Sequence, residues 1–270
     1  MDVNKNSYTF MFATIMVVVV AAILSFAAIK LKPFQDANVR LEKMQNILYT
    51  IGVRSEEDPT KPINREAAEE LYKQYIVAEK AINEAGEELE GVDAFNLDMA
   101  KEYKKSAEER KYPLYIAEKD GSKYYILPLR GTGLWGPIWG YISLEDDINT
   151  VYGASFDHKS ETPGLGAEIS TAEFAKQFEG KKIKDDGSFV SIAVVKGNAS
   201  GPHQVDGISG GTITSVGVSD MLQDYIGAYM PYLNSLDNQQ AANTTAQEEE
   251  VMTISDSAAV TSSLDTNNVQ

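Results

Sequence analysis

The sequence predicts an α+β protein in which one N-terminal membrane-spanning helix precedes a twisted antiparallel sheet with flanking helices, followed by a disordered tail. Three observations support this prediction. Residues 8–29 form an uncharged, largely apolar run, and Asp120-Gly121 is a strong β-hairpin signal between two apolar segments. Residues 237–270 contain six acidic residues and no Lys or Arg. A tail of that composition buries too little apolar surface to fold.

The uncharged run is long enough to cross a bilayer as a helix. Its 22 residues would span roughly 33 Å, compared with a hydrocarbon core of about 30 Å. Cleaved signal peptides have a shorter apolar region after a basic start, whereas only Lys5 precedes this run, so a retained anchor within residues 1–31 is expected. Lys30 and Lys32 follow the run, and the positive-inside rule would place that side in the cytoplasm.

Composition excludes several classes of function. The 270 residues include no cysteine, so disulfides and thiolate-bound iron–sulfur clusters are ruled out. The two histidines are far apart in sequence, and no metal site is predicted. A net charge of −16 argues against a nucleic-acid partner. Any redox chemistry would therefore use a bound organic cofactor.

Two segments follow the anchor. Residues 32–112 are predicted to form a juxtamembrane helical region, in which a second helix covers residues 63–83 and residues 84–110 form a solvated insertion. Residues 113–236 are predicted to form the main domain, with strands beginning near Pro113.

Within that domain, residues 189–195 are predicted to form a central strand of the sheet, because the segment is apolar enough to be buried.

The segment around which the domain is organised is Asp206-Gly-Ile-Ser-Gly-Gly-Thr212-Ile-Thr214. An apolar pattern of helical period follows it, and a Gly-rich turn before a helix N-terminus is a natural phosphate site. A hydrolase nucleophile elbow at Ser209 would need a later histidine, whereas His158 and His203 both precede it. A nucleoside-triphosphate loop would need a lysine after the glycines. An ordinary turn with a helix cap stays open as an alternative.

Two further runs carry candidate site residues. Residues 129–143 contain both tryptophans among several glycines, which favours either a bulged strand or a surface on which Leu134 or an aromatic packs against a flat ring. His158-Lys-Ser-Glu-Thr-Pro-Gly-Leu-Gly166 is predicted to be a rigid loop. Lys196 ends an apolar run, either as a solvated lysine or as a cation beside a phosphate or the anionic edge of a reduced ring.

Three of these motifs together resemble one family. Asp206 to Thr212 resembles the flavinylation motif of bacterial flavoproteins that carry FMN covalently, an Asp followed by Ser-Gly-Ala-Thr, with Gly211 where many members have Ala. Gly131-Thr-Gly-Leu-Trp135 and the run from His158 to Gly166 also resemble motifs of that family. The whole chain looks like the C subunit of the Na+-translocating NADH:quinone oxidoreductases.

The resemblance implies a set of cofactor-binding residues. Thr212 would be joined through its oxygen to the FMN phosphate, and no residue is assigned a catalytic role. His158 would be either a second-layer partner or merely structural. The implied cofactor-binding residues are Thr212, Ser209, Gly210, Gly211, Asp206, Glu161, Thr162, Gly164, Leu165, Gly166, Leu134, Trp135 and Lys196.

The resemblance also implies a function and partners. The chain would be an electron-transfer subunit of a multi-subunit membrane complex that passes electrons from NADH toward ubiquinone or menaquinone and exports sodium. A separate flavin transferase would attach the FMN, and the domain would lie on the periplasmic side of the bacterial inner membrane, contrary to the charge pattern. Two alternatives stay open: the matching subunit of the related ferredoxin-dependent complex, and a membrane-anchored binding module without a redox role.

Overall fold

The computed structural model describes the backbone of residues 6–264 and the side chains of residues 6–239. The described part of the chain contains five α-helices and nine strands. The helices are α1 (Asn6–Thr50), α2 (Arg65–Tyr75), α3 (Met99–Glu102), α4 (Ala172–Lys176) and α5 (Thr212–Leu264). The strands are β1 (Ile76–Ile82), β2 (Tyr112–Lys119), β3 (Ser122–Thr132), β4 (Pro137–Leu144), β5 (Val151–His158), β6 (Lys184–Asp185), β7 (Ser188–Phe189), β8 (Ala193–Val195) and β9 (Gln204–Asp206).

The predicted membrane span and juxtamembrane helix form one continuous helix, α1, that contains Pro33. Its N-terminal apolar part is not buried against any of the described residues, and it is long and apolar enough to cross a membrane. The last turns of the helix, from Met44 to Thr50, are instead buried against the sheet. A single helix thus connects the anchor directly to the core of the domain.

The main sheet is an antiparallel meander in the order β1-β2-β3-β4-β5. The hairpin at Asp120-Gly121 is confirmed: Lys119 pairs with Ser122, and φ is positive at both central residues, as the tight primed turn requires. One face of the sheet packs against α4 and α5, and the other face packs against α1 and α2. The domain therefore has two hydrophobic cores separated by one sheet.

The prediction of a helix over residues 63–83 is wrong beyond Tyr75. The side chain of Asn64 caps α2 at its start, and the helix ends where the β-branched Ile76 and Val77 begin β1. Strand β1 then pairs antiparallel with β2, after a bulge between Ile76 and Ala78. The sheet thus begins inside the segment that was predicted to be helical.

The prediction of one central strand over residues 189–195 is also wrong. The backbone takes a left-handed turn at Ser191 (φ 62°), which separates β7 from β8. Strand β8 pairs in parallel with β9 outside the five-stranded sheet, so that Val195 lies beside Asp206. Strand β9 of this small sheet ends at Asp206, where the Gly-rich segment begins.

The segment of residues 84–110 is not wholly solvated. Phe95 is buried, and its ring packs edge-on against Tyr72 and Tyr115. Lys43 of α1 donates a hydrogen bond to the Phe95 carbonyl, and burial lowers the pKa of this lysine to about 8. Part of the insertion therefore fastens α1 to the sheet.

The tail that was predicted to be disordered, residues 237–270, lies mostly outside the residues whose side chains are described. The backbone of α5 is described as far as Leu264, and the disorder stays a prediction.

Substitutions of two buried tyrosines in α5 are expected to have different effects on the free energy of unfolding. The Tyr229 hydroxyl donates to the carbonyls of Pro113 (2.7 Å) and Pro128 (3.1 Å), whereas the buried Tyr225 hydroxyl has no hydrogen-bond partner in the described structure. Tyr229→Phe is expected to lower the free energy of unfolding by about 1–2 kcal/mol, because two carbonyls lose their donor. Tyr225→Phe, the matched control, is expected to be neutral or stabilising. Denaturant unfolding of the detergent-solubilised chain measures both, and equal losses would contradict this account.

Candidate flavin site

The site depends on a close approach between α5 and β3. A Cβ atom at Gly217 would lie 2.3 Å from the backbone oxygen of Thr132, and one at Gly131 would lie 2.8 Å from Cβ of Met221. Only glycines allow the helix and the strand to come this close. The first turn of α5 therefore lies beside the tip of the β3–β4 hairpin.

The N-terminus of α5 has a glycine at its cap position. The backbone N–H of Ser215 bonds to the Gly211 carbonyl (2.9 Å), so Gly211 holds the cap position without a side chain that could accept from the first-turn N–H groups. The buried Ser215 hydroxyl accepts from the N–H of Ile208 (3.0 Å) and fixes the preceding turn. Thr212 is exposed at the first helical position. Its hydroxyl lies at the positive end of the helix dipole.

An apolar surface lies next to this helix end. Trp135 is 64% exposed, Leu134 is 49% exposed and Leu165 is 41% exposed. Leu165 reaches the Gly-rich turn, because a Cβ atom at Gly210 would lie 2.7 Å from Leu165 Cδ2. Large apolar side chains left in solvent beside a polar turn indicate a ligand site.

A buried carboxylate joins the three loops of the site. Glu161 is only 5% exposed; its Oε1 accepts from the backbone N–H of Trp135 (2.8 Å), and its Oε2 accepts from the Thr214 hydroxyl (2.7 Å). The backbone N–H of Glu161 donates to Nδ1 of His158 (3.2 Å), which favours a structural role for this histidine. The predicted contact between Glu161 and a flavin stays a prediction.

A cavity of about 310 Å³ adjoins Thr212. Lys196, Gly197, Ser209 and Gly210 contribute to its lining together with Thr212. The exposed Lys196 therefore shares a cavity with the candidate attachment residue, as its position in the sequence suggested.

Asp206 is engaged elsewhere. Its carboxylate accepts from the backbone N–H of Ala199 (2.7 Å), and its own N–H donates to the Gln177 side chain (2.9 Å). In this structure Asp206 stabilises the loop that follows β8.

The remaining predicted residues shape the loop after β5. Gly164 has a positive φ of 74°, and its N–H donates to the Glu168 carboxylate (2.9 Å). The Thr162 carbonyl accepts from the N–H of Leu165 (3.1 Å), which closes the turn. A Cβ atom at Gly166 would lie 2.5 Å from the Glu161 carboxylate, so this position must be small.

Sequence reasoning missed three residues of the site. Thr214 donates a hydrogen bond to the Glu161 carboxylate, and the Ser215 hydroxyl accepts one from the Ile208 N–H. Gly133 leaves the space that the Glu161 carboxylate occupies. The one available signal in the sequence was the two-residue spacing of Thr212 and Thr214, which places their side chains on different faces of a helix.

Comparison with known proteins identifies the family of this domain. Residues 133–227 match the family model of an FMN-binding domain, which covers all three loops. Over 246 residues the chain is 30% identical to the C subunit of the Na(+)-translocating NADH-quinone reductase of Pseudomonas aeruginosa, covering 83% of this chain and 92% of that protein. The chain belongs to the family of Na(+)-translocating NADH-quinone reductase C subunits. It is also 32% identical to the Vibrio vulnificus C subunit over 239 residues, covering 80% of this chain and 89% of that protein.

Solved structures of other C subunits extend the comparison to the fold. A crystal structure of the Parabacteroides distasonis C subunit matches with a TM-score of 0.67 and 46% identity, covering 75% of this chain and 96% of that chain. The Shewanella oneidensis protein, with 21% identity, a TM-score of 0.62 and coverage of 74% of this chain and 99% of that one, shares the fold.

The residues present fit FMN. A phosphate finds uncapped helix N–H groups and Lys196 beside Thr212, and a flat ring finds Leu134, Trp135 and Leu165.

Two glycines in α5 test the dependence of the site on helix approach. Gly217→Ala is expected to destabilise the protein by about 1–3 kcal/mol and to change the absorbance of bound flavin, because its Cβ would meet backbone that cannot move aside and would shift the loop beside the ring. At Gly227 a Cβ would lie 3.3 Å from the Phe189 ring, which can shift, so Gly227→Ala is expected to be neutral or to gain up to about 1 kcal/mol from helix propensity. Thermal unfolding and bound-flavin absorbance measure both effects. A Gly217→Ala protein as stable as Gly227→Ala would refute the argument.

Proposed function

We propose that this chain is the electron-transfer subunit of a Na+-translocating NADH:quinone reductase and carries FMN covalently on Thr212 through a phosphoester. One observation supports this most directly: Thr212 is exposed at the start of a helix whose cap residue is a glycine, next to a cavity lined by Lys196. The apolar surface of Leu134, Trp135 and Leu165, called the apolar wall below, lies beside it. When bound, FMN supplies the electron-carrying chemistry, and the protein supplies position and electrostatics. Attachment through the phosphate leaves the ring free for that chemistry.

Apart from Glu161, the predicted site residues around Thr212 have the following roles in this proposal. Lys196 and the first-turn N–H groups of α5 neutralise the phosphoester. Leu134, Trp135 and Leu165 pack on the ring, while Thr162, Gly164 and Gly166 shape the loop that holds Leu165. Asp206, Ser209, Gly210 and Gly211 form the segment that a flavin transferase recognises.

Attachment uses the Thr212 hydroxyl as the nucleophile. Its oxygen attacks the FMN-side phosphorus of FAD, the P–O bond to AMP breaks, and AMP leaves. The proton of the hydroxyl passes to a base on the transferase. No nucleotide-transfer motif is recognisable in this chain, so the base belongs to the separate enzyme.

The complex supplies the remaining steps. Electrons derived from NADH pass through this subunit toward ubiquinone or menaquinone, and the partner subunits couple that transfer to sodium export. Residues 8–29 contain no charged side chain that could serve as an ion site. Identities of 30–32% over at least 80% of the chain favour this assignment over the ferredoxin-dependent relative.

Covalent attachment is tested by substituting Thr212. After co-expression with a flavin transferase, wild type and Thr212→Ser are expected to give a fluorescent band on a denaturing gel, because both keep a hydroxyl. Thr212→Ala is expected to lose the band and the mass gain of one FMN minus water. Ser209→Ala, which removes a neighbouring hydroxyl, is expected to keep the mass gain. A flavin that survives denaturation in Thr212→Ala would disprove the attachment site.

The soluble domain is proposed to lie in the periplasm, as the family resemblance implies and against the charges at Lys30 and Lys32.

The absence of cysteine makes the topology testable by labelling. Ser122→Cys places one thiol on the exposed β2–β3 hairpin, and Asn6→Cys places one on the other side of the anchor. A maleimide that penetrates the outer but not the inner membrane is expected to label Ser122→Cys in intact cells, and Asn6→Cys only after lysis. The reverse pattern would place the domain in the cytoplasm.

A further inference from the structure

The two oxygens of one buried carboxylate hold together the parts of the site that serve opposite ends of the cofactor. Oε2 of Glu161 accepts from the side chain of Thr214, which lies in the first turn of α5, two residues after Thr212. Oε1 accepts from the backbone N–H of Trp135, in the loop between β3 and β4. These partners are 53 and 26 residues away from Glu161 in the chain. The carboxylate therefore links the β3–β4 loop to the first turn of α5, in addition to the backbone contact at Gly217.

The surroundings are shaped around this carboxylate. A Cβ atom at Gly133 would lie 2.6 Å from Oε1, and one at Gly166 would lie 2.5 Å from both Oε2 and the Thr214 hydroxyl oxygen. Neither glycine has a positive φ. Both positions therefore need a small residue because of the space it leaves, rather than for backbone freedom.

We propose that Glu161 is a positioning residue that fixes the apolar wall relative to the phosphate attachment point. It acts through Trp135 and Thr214 rather than by touching the flavin, since both of its oxygens are engaged inside the protein and the residue is 5% exposed. This role deepens, and rests on, the proposed covalent FMN at Thr212. Loss of the tie leaves the cofactor attached by its phosphate while its ring leaves the wall.

The chemistry of Thr214 provides a control that separates geometry from charge. A threonine hydroxyl can donate or accept, so in Glu161→Gln the amide nitrogen can donate to Thr214 while the amide oxygen still accepts from the Trp135 N–H. This variant keeps both links and removes only the negative charge. Glu161→Ala removes both links, Thr214→Val removes one, and Thr214→Ser keeps its hydroxyl.

The experiment uses the full chain in detergent after co-expression with a flavin transferase. Covalent attachment is read on a denaturing gel, and the ring position is read from flavin fluorescence anisotropy and iodide quenching of the native protein. Glu161→Ala and Thr214→Val are expected to keep the denaturing-gel band. In Thr214→Val the ratio of docked to undocked ring should fall about fivefold, as expected for the loss of one net hydrogen bond, and the fall should be larger in Glu161→Ala. Glu161→Gln and Thr214→Ser should resemble wild type.

A readout that needs no flavin completes the design. Hydrogen exchange at the Trp135 amide is expected to speed up in Glu161→Ala and in Thr214→Val, but not in Glu161→Gln. If Glu161→Ala does not fold, Thr214→Val decides the question. Unchanged anisotropy, quenching and exchange in Thr214→Val would overturn the positioning role, as would a Glu161→Gln protein that behaves like the broken variants. A wild type without flavin, with the transferase active on a control, would instead overturn the proposed function and this role with it.

Discussion

The contact between the backbones of α5 and β3 is the constraint on which the rest of the site depends. Gly217 lets the helix touch the strand at Thr132, and Gly131 accommodates Met221 one turn later. A larger residue at either position would separate the layers where interiors tolerate little extra volume. Because the contact lies within the first turns of α5, it aligns the start of that helix with the β3–β4 loop, where Trp135 lies.

The site divides its work between a rigid element and shaped loops. A helix that is buried along one face holds Thr212, the proposed attachment residue, and functional groups on such elements are positioned more precisely than groups on loops. The apolar wall lies on two loops. Glu161 belongs to the loop that carries Leu165, and its carboxylate accepts hydrogen bonds from Trp135 in the other loop and from Thr214 in α5. A buried carboxylate that accepts two hydrogen bonds restrains these elements better than surface contacts would.

The features that could be predicted from the sequence are those determined by residues close together in the chain. The apolar stripe of α5, from Val218 to Leu233, is buried as its helical spacing predicted, and Asp120-Gly121 forms the expected turn. Strand β1 was missed because the apolar residues at 75, 78 and 82 fit a helical period, whereas the pairing with β2 that decides the conformation comes from a segment distant in the chain. The single strand predicted over residues 189–195 failed at Ser191, a serine that takes a left-handed conformation.

In the candidate site, too, local motifs could be predicted from the sequence, whereas contacts between distant residues could not. The segment ending at Thr212 and the loop around Glu161 were both found from local motifs, but the hydrogen bond between Thr214 and Glu161 was not. A single sequence does not indicate which hydroxyl forms a hydrogen bond with which carboxylate when the two residues are 53 positions apart. The partner of a buried polar group is set by the packing of whole elements, so only the structure distinguishes the exposed Thr212 from the buried Thr214.

The continuity of α1 fixes the spacing between the apolar run and the domain. The helix leaves the apolar run at Ile29 and first contacts the rest of the domain at Asn38, whose side chain accepts a hydrogen bond from Arg65 (3.1 Å). These two residues are separated by a rise of roughly 14 Å at about 1.5 Å per residue. Because residues 8–29 carry no charged side chain, the sodium path proposed above belongs to partner subunits, and the role proposed for this chain is to hold the flavin.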